Sequence, residues 1–205
     1  EYERNRIASE MHDDLGSGLT TIRYLSDKAL KQARDSAETE QIKRISEHSK
    51  RLVRNMSEII WAMNSRFDSA ENLVGYLRRY ASEYLEEYQL PLKFVSGLEH
   101  LDQVSMGGEK RRNVFLVFKE MLHNAVKYSG AERLEIEITT NHQLGIHIAE
   151  IGGKGFDPEL ALEKGNGIFN CRKRMHSAGG ELTFEKTAEA MHIHIIVPIK
   201  PVAGG

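Results

Sequence analysis

The chain has 205 residues, of which 40% are hydrophobic and 28% are charged, and its formal net charge is -2. This length allows two small domains, and the near-neutral charge argues against nucleic acid as the main ligand. Cys171 is the only cysteine, which excludes an intrachain disulfide and favours a reducing compartment. No apolar run reaches the roughly 18 to 20 residues that a membrane helix needs, and the charged N-terminus has no signal-peptide pattern.

The first 65 residues carry a heptad pattern with a polar interruption at 34–38. Seam positions alternate at spacings of three and four; they are Ala8, Met11, Leu15, Gly18, Ile22, Leu25, Ala29, Ile42, Ile45, Ser49, Leu52, Met56, Ile59 and Met63. The interruption predicts two helices in an antiparallel hairpin. Two helices alone bury little surface, so the seam favours a homodimer whose hairpins form a four-helix bundle. The alternative is a hairpin that packs only on its own downstream domain.

Residues 66–205 mix predicted helices with predicted strands. Ser69 is the expected N-cap of a helix that runs to about Leu85. Apolar periodicity and turn residues such as Asn141 predict the other elements, namely a strand at 91–95, a helix at 110–128, strands at 134–138 and 144–148, a helix at 168–178 and strands at 181–184 and 191–197. Strands in hairpins beside helices indicate an α+β domain, built as an α/β sandwich.

Three segments of this second domain are candidates to hold a nucleotide. In the first, Glu120 and Asn124 share one face of the predicted helix, and Lys127 and Tyr128 follow. A carboxylate, an amide oxygen and an ammonium in one row suit a hydrated Mg²⁺ bound to phosphates. Taken alone, such a row is more often a solvated helix face.

The other two segments are rich in glycine. Gly153, Lys154 and Gly155 follow a predicted strand, where glycine lets the backbone approach a ligand closely. The segment is neither a P-loop nor a dinucleotide fingerprint, and alone it also fits a plain turn. Gly165 and Gly167 lead into a helix at Ile168, and the free N–H groups of such a terminus favour an anion.

Together and in this order, the three segments resemble the N, G1 and G2 boxes of the GHKL ATPase superfamily, over about residues 70–200. The resemblance implies ATP and Mg²⁺ as cofactors, with Asn124 as the metal ligand and Glu120 as a catalytic carboxylate beside it. Lys127 would meet phosphate. The full set of implied nucleotide contacts is Asn124, Lys127, Tyr128, Glu150, Ile151, Gly153, Lys154, Gly155, Gly165, Gly167 and Ile168.

The chain departs from the family at the adenine contact. The G1 box begins with an Asp that accepts a hydrogen bond from the adenine amino group, and counting back from Gly153 puts Ile151 there. Loss of a charge-assisted hydrogen bond would weaken binding by about 1.5 to 3 kcal/mol. Unbroken strand alternation instead places Glu150 in that role, with one extra residue in the turn. Both alternatives stay open at this point.

His12 and Asp13 are the predicted phosphoacceptor pair. The seam residues Met11 and Leu15 place His12 on the side of the bundle, where Asp13 can fix the imidazole tautomer and raise its basicity. An isolated His-Asp pair is usually only surface. A hairpin with His12-Asp13-Asp14-Leu15 before a GHKL domain, however, resembles the dimerisation and phosphoacceptor domain of nitrate-sensor-like histidine kinases.

This second resemblance implies that the γ-phosphoryl group of ATP passes to Nε2 of His12 and then to an aspartate of a response-regulator receiver domain. It further implies a cytoplasmic fragment of a sensor anchored in the inner membrane, without direct membrane contact of its own. Two other functions compete with this one: a degenerate dimeric scaffold with weak ATP binding, favoured by Ile151, and a GHKL ATPase unconnected to His12.

Four further residues complete the predictions. Ser17 stands where the subfamily has a Gln or His that is thought to position water for dephosphorylation, and its short hydroxyl argues against phosphatase activity. His192 and His194 share one strand face, which is better explained as solvated surface than as a metal site. His123 lies inside the N-box helix and is a candidate to border the nucleotide.

Overall fold

A computed structural model describes residues 17–32, 36–64, 67–97, 104–140, 142–153 and 167–201. These residues fall into two compact units, divided between Phe67 and Asp68. The first unit consists of helices and the second combines helices with strands. Within the described residues, no helix is both long and apolar enough to cross a membrane.

The first unit is the predicted hairpin, with α1 at Ser17–Gln32 and α2 at Ser36–Met63. The contact between the two helices is unexpectedly polar, because it buries three serines, Ser26, Ser46 and Ser49. Ser46 Oγ donates a 2.5 Å hydrogen bond across the hairpin to Asp27 Oδ1, and Lys50 Nζ lies 3.8 Å from the same oxygen.

Four large apolar residues of the seam are not buried by this contact. About half of the surface of each stays exposed on a single hairpin; they are Ile22, Leu25, Ile45 and Leu52. Met56, by contrast, is buried. These four seam residues are therefore available to a partner other than the hairpin's own second helix.

The elements of the second unit are α3 (Ala70–Glu87), β1 (Leu92–Ser96), β2 (Val104–Ser105), α4 (Gly108–Asn124), a π-helical turn (Ala125–Ser129), β3 (Arg133–Thr140), β4 (Gln143–Ile151), α5 (Gly167–Ser177), β5 (Glu181–Lys186), β6 (Ala190–Pro198) and β7 (Lys200–Pro201). Five of the strands form a sheet in the order β1-β3-β4-β6-β5. β1 and β3 are parallel and the other pairs of this sheet are antiparallel, while β2 and β7 form a separate antiparallel pair. The predicted α+β fold is confirmed, whereas the parallel pair and the β2–β7 pair were not anticipated.

One face of the sheet packs against the helices and forms the core. Alternate strand residues on this face are at most 1% exposed; they are Leu134, Ile136, Ile138, Leu144, Ile146, Ile148, Ile193, Ile195 and Val197. From α4 they are covered by side chains that are fully buried, namely Val117, Phe118, Met121 and Leu122. In an antiparallel sheet with one covered face, apolar residues that face the core alternate along each strand with polar residues that face solvent, and this alternation is seen in the sequence.

The first helix of this unit begins at the predicted cap. Ser69 has extended backbone angles, and its Oγ accepts a 3.2 Å hydrogen bond from the N–H of Asn72. Such a cap satisfies an N–H group that has no partner inside the helix, and replacing it by Ala typically destabilises a helix by about 1 kcal/mol. α3 then runs beside α4, the helix that carries the N-box residues.

Candidate nucleotide and phosphoacceptor site

Two glycines show how closely the three candidate segments approach one another. A Cβ atom added to Gly167, the first residue of α5, would lie 2.6 Å from Oε1 of Glu120 on α4. One added to Gly153 would collide with the backbone oxygen of Gly130 and lie 2.7 Å from that of Ser129. The last turn of α4 therefore approaches the G2 segment through Glu120, and the end of the π-helical turn that follows α4 approaches the G1 segment.

The backbone conformation at Gly153 also favours glycine. Its φ is +68°, in the left-handed region that side-chain-bearing residues rarely adopt. The turn after β4 thus combines positive φ with direct backbone contact to the π-helical turn. The positive φ agrees with the expectation for this glycine-rich turn, whereas the approach of its backbone to a ligand stays a prediction. Lys154, Gly155 and Gly165 lie outside the described residues.

The N-box helix ends differently from the prediction. A regular helix was expected to about residue 128, but α4 ends at Asn124 and a π-helical turn covers Ala125–Ser129. Ser129 stabilises this turn, because its Oγ donates a 2.6 Å hydrogen bond to the carbonyl of Ala125 and accepts one of 3.0 Å from the N–H of Ala131. Gly130 then ends it with φ of +65°. Such wide turns are rare and occur frequently at functional sites.

The side chains of the N-box row differ in exposure. Asn124 is only 7% exposed at the end of α4, and Glu120 is half-buried one turn earlier. Lys127 and Tyr128 lie in the π-helical turn, where both are exposed and Tyr128 keeps 53% of its surface. The row therefore passes from buried oxygen groups to an exposed ammonium and an exposed aromatic ring.

The two candidates for the adenine contact, Glu150 and Ile151, point to opposite faces of the sheet from strand β4. Glu150 pairs across the sheet with Leu134 and Met191, points to the helix-covered face and is fully buried. Ile151 points to the opposite face, where it lies between Arg133 and Ala190 and is partly exposed. Burying a carboxylate is costly unless its charge is compensated, so a fully buried glutamate on this face is a candidate functional group.

Ile168 and Cys171 mark the buried face of α5. Ile168 is 1% exposed, so only its backbone is placed to meet a nucleotide. Burial, with a smaller contribution from the negative charge of Glu120, raises the pKa of the Cys171 thiol to about 12. The thiolate is the reactive form of cysteine. The single thiol is therefore a neutral packing group beside the G2 turn.

A row of tyrosines along α3 was not singled out from the sequence. Tyr76, Tyr80, Tyr84 and Tyr88 recur every four residues, the spacing that places side chains on one helix face. The rings of Tyr80 and Tyr84 are stacked 5.7 Å apart, and Tyr84 lies 4.7 Å from the ring of His123 on α4. The i, i+4 repeat was the available signal, and it was interpreted only as an apolar helix face.

Three histidines meet on the open face of the sheet. His147 Nε2 lies 3.0 Å from His192 Nδ1, and the His147 ring stacks on that of His194 at 4.7 Å. Burial and then the charges of His194 and His192 lower the pKa of His147. Across the part of the chain that the structure describes, no group of histidine, cysteine, aspartate and glutamate side chains is arranged to hold a metal ion.

The remaining predicted site residues belong to the N-terminal part of the sequence. His12 and Asp13 are outside the described residues, and Ser17 is the first residue of α1. Residues 3–66 match the family model described as histidine kinase (HisKA_3). This match covers the hairpin and the proposed phosphoacceptor segment.

Two curated relatives extend the similarity over nearly the whole chain. The signal transduction histidine-protein kinase/phosphatase UhpB of Salmonella typhimurium is 26% identical over 199 residues, which are 91% of this chain and 37% of that protein. The sensor histidine kinase YdfH of Bacillus subtilis is 24% identical over 202 residues, 97% of this chain and 49% of that protein. The chain is thus similar to sensor histidine kinases over nearly its whole length. It spans less than half the length of these two relatives.

Solved histidine kinase structures share the fold. The histidine kinase domain of the blue-light activated histidine kinase from Erythrobacter litoralis EL346 superposes with a TM-score of 0.56 at 15% identity, over 89% of this chain and 94% of that one. Full-length ShkA in complex with AMPPNP gives 0.57 at 12% identity, over 97% and 47%. At these identities the likeness concerns the fold alone, a helical hairpin followed by an α+β unit.

Proposed function

We propose that this chain is an ATP-dependent protein histidine kinase, which phosphorylates His12 and passes the phosphoryl group to an aspartate of a response-regulator receiver domain. The observation that carries the proposal is the convergence of the three candidate segments, through Gly167 on Glu120 and through Gly153 on Ser129 and Gly130. Each segment alone has a plain explanation, but an ordinary turn or helix face gives no reason for these contacts. Their arrangement suits a triphosphate nucleotide.

The donor set of α4 fits magnesium. Asn124 offers an amide oxygen and Glu120 a carboxylate one helical turn apart, and Mg²⁺ is usually held by one or two such groups together with water and phosphate oxygens. When bound, the ion would neutralise phosphate charge. Asn124 would be the direct ligand and Glu120 the neighbouring carboxylate. Lys127 would contact phosphate, and the N-terminus of α5 would border the triphosphate.

Glu150 is the better candidate for the adenine contact. Its carboxylate lies on the helix-covered face of the sheet, the side on which α4 and its N-box residues lie, whereas Ile151 points away. A carboxylate thus lies on the side where the adenine amino group would need an acceptor, although its side chain is longer than that of the family's aspartate. This placement favours an active kinase over a scaffold that has lost ATP binding. Exposed Tyr128 is positioned by the π-helical turn as a surface for stacking.

The reaction itself needs few protein groups. Nε2 of His12 attacks the γ-phosphorus, the bond from that phosphorus to the β–γ bridging oxygen breaks, and ADP leaves. Asp13 holds the Nδ1 proton and so keeps Nε2 nucleophilic. Positioning and charge neutralisation carry most of the catalysis in such transfers. The phosphoramidate then donates the same phosphoryl group to the receiver aspartate.

The hairpin supports the proposed homodimer. Ile22, Leu25, Ile45 and Leu52 are each about half exposed on a single hairpin, while the serines fill its internal contact. Apolar rows at heptad spacing are buried when helices from two copies interdigitate. A second copy would therefore cover them and complete a four-helix bundle with His12 on its flank.

The kinase proposal is tested by phosphorylation of the purified chain. Incubation with radiolabelled Mg·ATP should yield an acid-labile, base-stable protein phosphate, and His12→Gln should abolish it. His48→Gln is the matched control, because His48 is an exposed hairpin histidine outside the proposed site, and it should be labelled like the wild type. An unlabelled wild-type chain at millimolar ATP would favour the scaffold instead.

A further inference from the structure

Strand β1 is an edge strand of the five-stranded sheet. It pairs with β3 on one side, and no strand of the described residues lies on its other side. The carbonyl of Pro91 accepts a 2.9 Å hydrogen bond from the N–H of Leu134, and the N–H of Gly97 donates one of 3.1 Å to the carbonyl of Ile138. Backbone groups alternate in direction along a strand, so the odd-numbered residues here face β3. The residues whose N–H and C=O groups face outward are Leu92, Phe94 and Ser96.

This outer edge has little protection against a further strand. Within the described residues, the three outward-facing residues make no backbone hydrogen bond on this side. Edge strands are commonly protected by charged side chains. The opposite edge strand, β5, has three exposed charged residues among its six, namely Glu181, Glu185 and Lys186. β1 has only Lys93, which is paired with Glu135, and the neighbouring Val95 is 48% exposed.

Arg78 of α3 places a fixed positive charge beside this edge. Its Nη2 donates a 2.7 Å hydrogen bond to Oγ of Ser96, and its Cζ lies 4.7 Å from the ring centroid of Phe94. In the part of the chain that the structure describes, Arg78 forms no ion pair with a carboxylate. A guanidinium has several N–H donors in a planar fork that suits a carboxylate. After its bond to Ser96, Arg78 therefore retains donors for an anion.

We propose that the outer edge of β1 is a docking site for an extended acidic segment of a partner protein, which adds as a strand beside β1 and places a carboxylate on Arg78. Main-chain hydrogen bonds would favour an extended chain, and Arg78 would select an acidic one. Exposed Val95 would contact an apolar side chain of the added strand. The surface includes none of the residues proposed to bind nucleotide or to receive the phosphoryl group.

A purely structural role for Arg78 explains less of this arrangement. An apolar side chain could pack on Phe94 equally well, and Ser96 is not buried, so its hydroxyl can bond to water. Neither contact requires an unpaired cation, and neither requires an edge strand without exposed, unpaired charges of its own. A partner that supplies both a strand and a carboxylate accounts for the two features together.

The test uses the full chain and a synthetic probe peptide, acetyl-Ser-Val-Glu-Val-Glu-Val-Ser-amide, with a matched peptide in which lysine replaces both glutamates. NMR titration of the amide signals of Phe94 and Ser96 gives the dissociation constants. The acidic peptide should shift these signals in a saturable way below about 1 mM and slow their hydrogen exchange. The lysine peptide should bind at least about tenfold more weakly.

Variants separate the charge of Arg78 from the strand edge. Arg78→Gln should weaken binding of the acidic peptide about tenfold and bring the two peptides to similar affinity. Arg79→Gln is the matched control, because Arg79 lies 5.1 Å from the ring centroid of Tyr76 instead of on β1, and it should bind like the wild type. Ser96→Pro removes an outward N–H without breaking a bond to β3, so it should weaken binding of both peptides. Urea midpoints close to that of the wild type would show that the variants are folded.

Several results would overturn the inference. They include the absence of a saturable shift with the acidic peptide, equal affinity of the wild type for the two peptides, and equal losses in Arg78→Gln and Arg79→Gln. Shifts confined to residues outside β1 and α3 would place the peptide elsewhere and would count against it as well. Slowed exchange at Phe94 and Ser96 that rises with protein concentration, without peptide, would mean that a second copy of the chain occupies the edge instead.

Discussion

Asp68 Oδ1 accepts a 2.7 Å hydrogen bond from Nη2 of Arg111, whose side chain is fully buried. The carbonyl of Asp68 also accepts a 3.1 Å hydrogen bond from the N–H of Met106. The first residue of the second unit is thereby attached to the N-terminal part of α4, the helix that carries Glu120 and Asn124. A buried guanidinium needs such a partner, because an uncompensated buried charge is strongly unfavourable.

Removal of this ion pair should destabilise the second unit. Asp68→Asn leaves a buried guanidinium opposite a neutral group, and we expect a loss of about 3 kcal/mol, measured as a lower urea midpoint at unchanged m-value. Lys93→Gln is the control, since it breaks an exposed pair with Glu135 and should lose less than about 1 kcal/mol. Equal losses in the two variants would show that Arg111 does not depend on Asp68.

The proposed role of Glu150 in ATP binding should be separable from the stability of the fold. Glu150→Leu replaces a buried carboxylate by an apolar group of similar size, which removes the desolvation penalty together with the interactions of the carboxylate, so the variant should stay folded with a urea midpoint close to that of the wild type. Affinity for ATP should nevertheless fall about 10- to 100-fold, as measured by calorimetry. Ile151→Ala is the matched control on the opposite face, and it should bind ATP like the wild type. A larger loss in the Ile151 variant would reverse the assignment of the adenine contact.

Substitution of Gly167 should affect the rate of phosphorylation more than the stability of the fold. A methyl group there would meet Oε1 of Glu120, the end of a flexible side chain that can move aside. Gly167→Ala should therefore change stability by less than about 0.5 kcal/mol and slow the phosphorylation of His12. Gly75→Ala on α3 meets no atom within 4 Å and should phosphorylate normally, while gaining about 0.5 to 1 kcal/mol in stability. If the Gly167→Ala chain phosphorylated His12 at the wild-type rate, the position of the Glu120 carboxylate would not matter for the reaction.

The open sheet face should make stability depend on pH. Burial, then His194 and His192, lower the pKa of His147, so the unfolded chain binds a proton more readily than the folded one. This contribution to stability is present above the unfolded pKa of about 6.5 and is lost as the pH falls below it. The lowered pKa of Glu135, caused by hydrogen bonds from Arg133 and Lys93, acts only at more acidic pH.

Urea unfolding between about pH 7.5 and 5.5 isolates the histidine effect. The wild-type midpoint should drop across this range, and His147→Gln should flatten the dependence. His142→Gln is the control, at an exposed histidine on the turn before β4, and its pH profile should follow the wild type. If His147→Gln retained the full slope, other groups would be responsible.

The exposed seam should control assembly. Leu25→Glu would place two like charges in the core of the proposed bundle, and we expect monomers by sedimentation velocity together with retained helical signal in circular dichroism. The serine contact within the hairpin is untouched by this change. Lys28→Glu, an exposed charge reversal on the same helix, should remain dimeric. A dimeric Leu25→Glu chain would exclude the seam as the interface.

The local elements of this fold could be predicted well because their signals are local. Heptad spacing, strand alternation and the Ser69 cap each depend on residues within one element, and each is present in the structure. The parallel pairing of β1 with β3 depends on which distant strands meet, and no pattern within Leu92–Ser96 determines that choice. The polar contact inside the hairpin was hidden for a related reason, since a heptad seam does not specify which of several helices covers it.

The candidate site shows the same division. The N-box and glycine-rich segments could be found from residue types and their order. The π-helical turn could not, because it depends on the hydrogen bonds of Ser129 and on positive φ at Gly130. Strand alternation favoured Glu150 over Ile151, and the structure places the side chain of Glu150 on the helix-covered face. The contacts of His123 with Tyr80 and Tyr84 join two helices, and the sequence of either helix alone does not predict them.

Cys171 gives this chain a practical property. Its thiol is 3% exposed and its pKa is raised to about 12, so reagents that need an accessible thiolate should not modify it in the folded chain. A second cysteine introduced at an exposed hairpin position would then be the one labelled residue in each subunit. Spin labels or fluorophores could be attached there without first removing the native thiol, and the distance between two copies could be followed while nucleotide is added.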